Sequence, residues 1–317
     1  MPQNVYIYDP GVSVPKDVRH VEIPQGVADI RENAFRNCKS LQSVTIPDSV
    51  TKIGDYAFGG CFDLQSVTIP DSVTTIGNNA FNDCRNLQFA VIPDSVTEIG
   101  IQAFANCHAL ESVTIPNRIT EISDSVFGGC YALSSVTIPD GVTRIGDCAF
   151  WECAFRSIII PDSVTEIDNW AFCNCSNLQS VTIPDSVTIM GEAVFDSCIG
   201  LQSVTLSNRI TKIDDDTFFG CQELRSVTIP DSVTEIEDGA FYDCRSLQSV
   251  IMPDSVTKIE KSAFKFCAAL QSLMYKGINI APFINIDGYG GNTFDIIRFL
   301  SQLPADKSAG LSKHTLR

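Results

Sequence analysis

The chain has 317 residues, 38 of them acidic and 22 basic, and its formal charge of −16 repels phosphate backbones and anionic lipid surfaces. Nucleic acid and membrane surfaces are therefore not expected partners. With 44% hydrophobic and 19% charged residues, the chain can bury a continuous core and is too apolar to be disordered.

The opening residues, "MPQNVYIYDPGVSVPKDVRH", have neither a basic n-region nor an apolar h-region, and no apolar run of membrane-spanning length follows. The expectation is a soluble, cytoplasmic protein with no membrane insertion; a secreted or surface location is the alternative. Residues 1–17 are expected to cap the N-terminal end. Within them Val5 and Ile7 alternate with Tyr6 and Tyr8, which predicts a strand.

From residue 18 to residue 275 one segment recurs. "LQSVTIPDSVTKIGDYAFGGC", Leu41 to Cys61, is followed by "LQSVTIPDSVTTIGNNAFNDC", Leu64 to Cys84. Cysteine returns every 23 residues from Cys38 to Cys153, then after 22 at Cys175, then every 23 to Cys267, and phenylalanine stands three residues before each. One residue has been lost near Ala154. Phe58 with Cys61, Phe81 with Cys84, and Phe104 with Cys107 are thus structural columns. Of the 13 cysteines, 11 occupy this one repeat position, which reads as free, buried thiols packing as small hydrophobes rather than as a disulfide framework.

Within a unit, Val44 and Ile46 alternate with Thr45 as a strand with one buried face requires. Pro47 cannot donate to a ladder and ends it, and Asp48 is expected to hold the turn through nearby backbone amides. Val50 and Ile53 predict a second short extended segment. Asp55 and its equivalents are expected to N-cap a single helical turn that buries Ala57, Phe58 and Cys61. No unit can bury these residues alone. A period in this range with this apolar spacing predicts a leucine-rich repeat solenoid of about 11 repeats of 23 residues, with a parallel β-sheet on its concave face. At about 4.8 Å per strand, it should span on the order of 50 Å.

The pattern L-x-x-V-x-I-P followed by V-x-x-I-x-x-x-A-F-x-x-C resembles the BspA-like, or Treponema-type, class of leucine-rich repeats over about residues 18 to 275. Departures are local: Ser207 for the column proline, Phe155 for the leucine, Met190 for the isoleucine, and Val126, Val194 and Thr217 for the alanine. The resemblance implies a curved solenoid used for binding, found in bacterial surface adhesins and protist protein families, generally without catalytic activity.

Residues 276–304 are expected to form a C-terminal cap. "NTFDIIRFLSQL" predicts an amphipathic helix with Asn292 or Thr293 as N-cap and Pro304 as stop, and residues 305–317 a loose tail. His20, His108 and His314 are scattered, so no catalytic or zinc site is expected and no cofactor is implied. The Cys173/Cys175 pair reads as packing, and Asp214 to Asp216 as a solvated turn.

The surface left for a partner is the sheet face, built from columns like those of Gln42, Ser43 and Thr45. It is small and uniform, whereas recognition usually needs larger anchors. The candidate contacts are therefore its interruptions: Phe89, Val91, Arg156, Ile159, Arg225 and Ile251. The expected function is a non-catalytic scaffold binding a protein or peptide through the concave sheet. Alternatives are a cell-surface adhesin or host-interaction protein and, less favoured, a binder of a repetitive lattice such as a glycan or ice. "NRIT" at Asn117 and again at Asn208, 91 residues on, points to copying of a four-unit block. The sequence leaves the oligomeric state open.

Overall fold

The computed structural model describes residues 5–260, 262–275 and 278–281. Within them the repeat builds a parallel β-solenoid of about 11 turns of ~23 residues. Each full-length unit contributes one short strand, such as Ser43–Thr45, Ser66–Thr68 and Phe89–Val91, and most of these strands pair in parallel with a neighbour at repeat register. Ser66 lies opposite Phe89, Val67 opposite Ala90 and Thr68 opposite Val91. The central residue points into the core and its two neighbours face solvent. A second ladder of two-residue strands, including Lys52–Ile53, Thr75–Ile76 and Glu98–Ile99, runs along another side with its isoleucines inward. Between the ladders the chain turns at the column proline. That turn is closed by the backbone, Val50 N–H to the Pro47 carbonyl at 3.1 Å, and not by the Asp48 side chain.

The third side corrects the expectation of a helical turn. The described residues contain no helix here; the segment from Asp55 to Cys61 is a run of tight turns. Alternate N–H groups close those turns, as Ala57 does to Gly54 (3.1 Å), Gly59 to Tyr56 (3.0 Å) and Cys61 to Phe58 (3.1 Å). The others leave the unit altogether: Tyr56 donates to Asn78 (2.8 Å), Phe58 to Ala80 (2.7 Å) and Gly60 to Asn82 (2.7 Å). A helix would consume all of these donors internally; here half of them join successive units. The geometry requires left-handed backbone at Tyr56 (φ 52°) and at Gly60 (φ 74°), and the column before the cysteine is accordingly rich in Gly, Asn and Asp. The Asp55 column does not cap its own turn either. Asp55 Oδ1 accepts the Asn78 N–H (2.9 Å) and Asn78 Oδ1 accepts the Ile101 N–H (2.8 Å), so each side chain ties its unit to the next.

The core is one continuous column. Phenylalanines from Phe35 to Phe264 stack nearly parallel, with centroids 5.0 Å apart at Phe35/Phe58 and 5.9 Å at Phe104/Phe127. This is the favourable offset range for aromatic pairs. Tyr8, buried beyond the strand Val5–Ile7, covers the end of the stack at 5.0 Å from Phe35. The column cysteines are free and buried, and each thiol from Cys61 to Cys267 donates to the carbonyl of a phenylalanine in the previous full turn, for example Cys61 Sγ to Phe35 O at 3.2 Å. Burial pushes the column thiols from Cys38 to Cys244 up, to about 12 at Cys130 and Cys175.

The local departures fit this frame. Phe155 is fully buried, edge-on to Phe150 at 5.6 Å. Ser207, in place of proline, donates its hydroxyl to the Val187 carbonyl (2.7 Å), the kind of bond that Ser72 makes to Val50 elsewhere. The buried Thr217 hydroxyl donates to the Asp214 carbonyl (2.8 Å). The three-residue ladder is interrupted twice, between Ser43–Thr45 and Ser66–Thr68, where no residue is missing, and at the shortened unit. Ser135–Thr137 ends one sheet segment and Ser180–Thr182 begins another, with only an isolated bridge, Ser157 to Ser180, between them. The ladder of Arg144–Ile145 and Glu166–Ile167 continues across the same units. The helix expected between residues 292 and 303, and the tail after it, lie outside the described residues.

Candidate binding face

Of the sequence-predicted contact residues, Phe89, Val91 and Ile251 lie on three-residue strands and Arg156, Ile159 and Arg225 beside them, all exposed. Phe89 and Val91 flank the buried Ala90, with 52% and 62% of their surface in solvent. Ile159 is 85% exposed, Ile251 59%, and Arg156 and Arg225 stand on the same face in the Gln42 column. They share a face without meeting at one point. Phe89 and Val91 belong to one strand, Arg156 and Ile159 to the shortened unit, and Arg225 and Ile251 to neighbouring strands further along. Val5, Ile7 and Met274 extend the same apolar column at the two ends. Sequence reasoning left them out because they lie where the repeat text degenerates.

A second exposed column went unread although its signal was present, in the residue after each cysteine. Lys39 Nζ lies 5.0 Å from the centre of the Phe62 ring, the Arg85 guanidinium 4.5 Å from the same ring, and His108 stacks on Tyr131 at 4.7 Å. Arg85 is held by Asp83 at 2.9 Å. Partial burial and the nearby Arg85 lower the pKa of His108. The structure also joins His20 to Ser43, Nδ1 to Oγ at 2.8 Å, across neighbouring strands. Both lie on the open ladder, and among the described residues no side chain bonds the second ring nitrogen, so the pair lacks the orienting group of a catalytic triad.

The acidic turn differs from its sequence reading. Asp214 is buried, paired with Lys212 at 2.6 Å, and accepts the Asp215 N–H at 3.1 Å. Glu192, from the unit before, comes within 4.8 Å of Asp214 and Asp215. The Lys212 ammonium and these backbone donors already satisfy oxygens that a cation would need. Cys173 is buried, with its thiol against Asp196 Oδ2 at 3.8 Å, and burial together with that carboxylate raises its pKa.

The other exposed column bordering this face is aspartate. The residue after the column proline is Asp in eight of the ten units from Asp48 to Asp254 and Asn at 117 and 208, and all ten are exposed. Among the described residues no helix is long and apolar enough to cross a membrane.

Comparison with known proteins agrees with this architecture. The family model described as "BspA type Leucine rich repeat region" matches in 6 copies over residues 15–134, 98–221 and 188–282. A leucine-rich repeat protein from Bacteroides ovatus is 30% identical, with 81% of this chain and 79% of that chain covered and a TM-score of 0.64. A leucine rich cell surface protein from Faecalibacterium prausnitzii is 34% identical over 86% of this chain and 91% of that chain, with a TM-score of 0.49. The pneumococcal vaccine antigen PcpA shares the fold at 19% identity, over 86% of this chain and 71% of its own, with a TM-score of 0.60. No curated protein matches in sequence. The chain belongs to the BspA-type leucine-rich repeat family.

Proposed function

We propose that this protein is a non-catalytic scaffold that binds a protein or peptide through the exposed side of its three-residue strand ladder. The observation that carries the reading is the placement of Phe89, Val91, Ile159 and Ile251. A face otherwise made largely of serine and threonine exposes large apolar side chains there, Phe89, Val91 and Ile251 on paired strands and Ile159 at the interrupted unit. Aromatic and arginine anchors dominate binding energy at protein interfaces, and Phe89, Arg156 and Arg225 are the candidates of those types. Capture of the native partner by wild-type protein, lost in the Phe89→Ala/Arg156→Ala double variant, is the expected result. Undiminished capture by that variant removes these residues from the site. Residence in the cytoplasm belongs to the same reading and is motivated by the free thiols, including the half-exposed Cys148, which a reducing compartment preserves. Fractionation of the native cell tests it, and export of the chain would place it at the surface instead.

A further inference from the structure

We propose that the groove between the Thr45 column and the Asp48 column is a docking track for an extended basic peptide segment carrying an aliphatic side chain. The proposal rests on the strand face being the binding side and deepens it by stating the chemistry of the occupant.

Two independent features converge. The first is an unneutralised row of charge. Asp48, Asp71, Asp140, Asp162, Asp231 and Asp254 accept no side-chain hydrogen bond and pair with no cation among the described residues. Neighbours in the row stand one strand step apart, about 4.8 Å, so like charges face one another along the edge. The row is cut twice. Asn117 donates its N–H to Asp94 Oδ1 (3.2 Å), Asn208 donates to Asp185 Oδ1 (2.8 Å), and an arginine follows each, Arg118 and Arg209. Three runs remain: Asp48 to Asp94, Asp140 to Asp185, and Asp231 to Asp254.

The second feature is concave space beside that row. A groove of about 600 Å³ is lined by Thr45, Thr68 and Val91 together with Asp48, Asp71, Pro70 and Pro93. Another of about 770 Å³ lies at the shortened unit between Thr137, Ile159, Asp140 and Pro161. Each acidic run contains one aliphatic side chain in the threonine column, namely Val91, Ile159 and Ile251. The lining prolines have no N–H and the carboxylates can only accept, so these side chains offer no donors. An occupant must bring its own donors and positive charge, which lysine and arginine do, together with an apolar side chain to cover Val91 or Ile159. Anionic segments are repelled by the same row.

The experiment uses the full chain and two labelled synthetic peptides, followed by fluorescence anisotropy. One alternates lysine with threonine around a central leucine; the other has glutamate for lysine. The ridge variant Asp48→Asn/Asp71→Asn/Asp94→Asn is compared with Asp29→Asn/Glu98→Gln/Glu121→Gln, which makes the same charge change on the opposite ladder. Asparagine already occupies this column at 117 and 208, so the ridge variant should fold, and circular dichroism checks that it does. The expected result is binding of the lysine peptide alone, weakened about tenfold or more in the ridge variant and less than about twofold in the control. The proposal is overturned if wild type does not bind the lysine peptide, if the glutamate peptide binds equally, or if the two variants behave alike. Failure here with native-partner capture still dependent on Phe89 and Arg156 leaves the scaffold reading standing. Failure of that capture test with ridge-dependent peptide binding removes the proposed contacts and keeps the groove.

Discussion

Phe104 shows what one repeat residue contributes. It is fully buried, with ring centres of Phe81 at 5.2 Å and Phe127 at 5.9 Å on its two sides. Phe104→Ala removes both contacts and leaves a cavity that neighbouring turns cannot close without breaking their own backbone bonds. The expected loss is about 3–5 kcal/mol, measured by urea denaturation. This column was legible because a side chain of one type at a fixed spacing needs no tertiary information to be read. Why the partner column is cysteine was not legible: the thiol is small enough for the turn and donates to a carbonyl a full turn away, as Cys107 does to Phe81 at 3.3 Å. Spacing along the chain does not reveal an acceptor 26 residues back. The left-handed positions did leave a trace, in the Gly, Asn and Asp residues before each cysteine, and a helical reading of Ala57, Phe58 and Cys61 passed over it.

At the scale of the element, one absent residue decides more than most substitutions. Other units place two residues between the cysteine and the column leucine, as Phe62 and Asp63 do; the shortened unit has only Ala154 before Phe155. Phe155 still reaches the core. The residues after it make one bridge, Ser157 to Ser180, and at that seam do not pair with Ser135–Thr137. Inserting an aspartate between Ala154 and Phe155 should restore the register, pair residues 157–159 with their neighbours and fill the adjoining groove. Amide exchange at Ser157 to Ile159 is expected to slow by on the order of tenfold, and unchanged exchange would show that the seam has another cause. The deletion was visible in the cysteine spacing. Its location on one ladder and not the other was decided by the fold, because after Pro161 the usual bonds return, Val164 N–H to Pro161 O at 3.1 Å and Thr165 N–H to Thr143 O at 2.8 Å.

For the whole molecule, stacking means that each turn contacts mainly its neighbours, so stability should scale with the number of turns. The copied block offers a direct test. Removing Arg118 to Asn208 joins Asn117 to Arg209, preserves "NRIT", and leaves uniform 23-residue spacing from Cys107 to Cys221. The shortened chain is expected to fold, with a urea m value lower by about a third; loss of cooperative folding would show that the removed turns are not interchangeable with those kept. The sequence by itself determined the period, the inward columns and the strand positions, because periodicity in hydrophobicity reports directly which side chains must leave water. Tertiary structure alone decided where the polar groups go: the turns whose N–H groups bond the next unit, the Asp55 column that ties turn to turn, the buried Asp214 with Lys212, and the unpaired aspartate row beside the strand face. Those outcomes depend on which donors and acceptors an adjacent turn brings within hydrogen-bond distance, and that is set by how the turns stack in space rather than by their order along the chain.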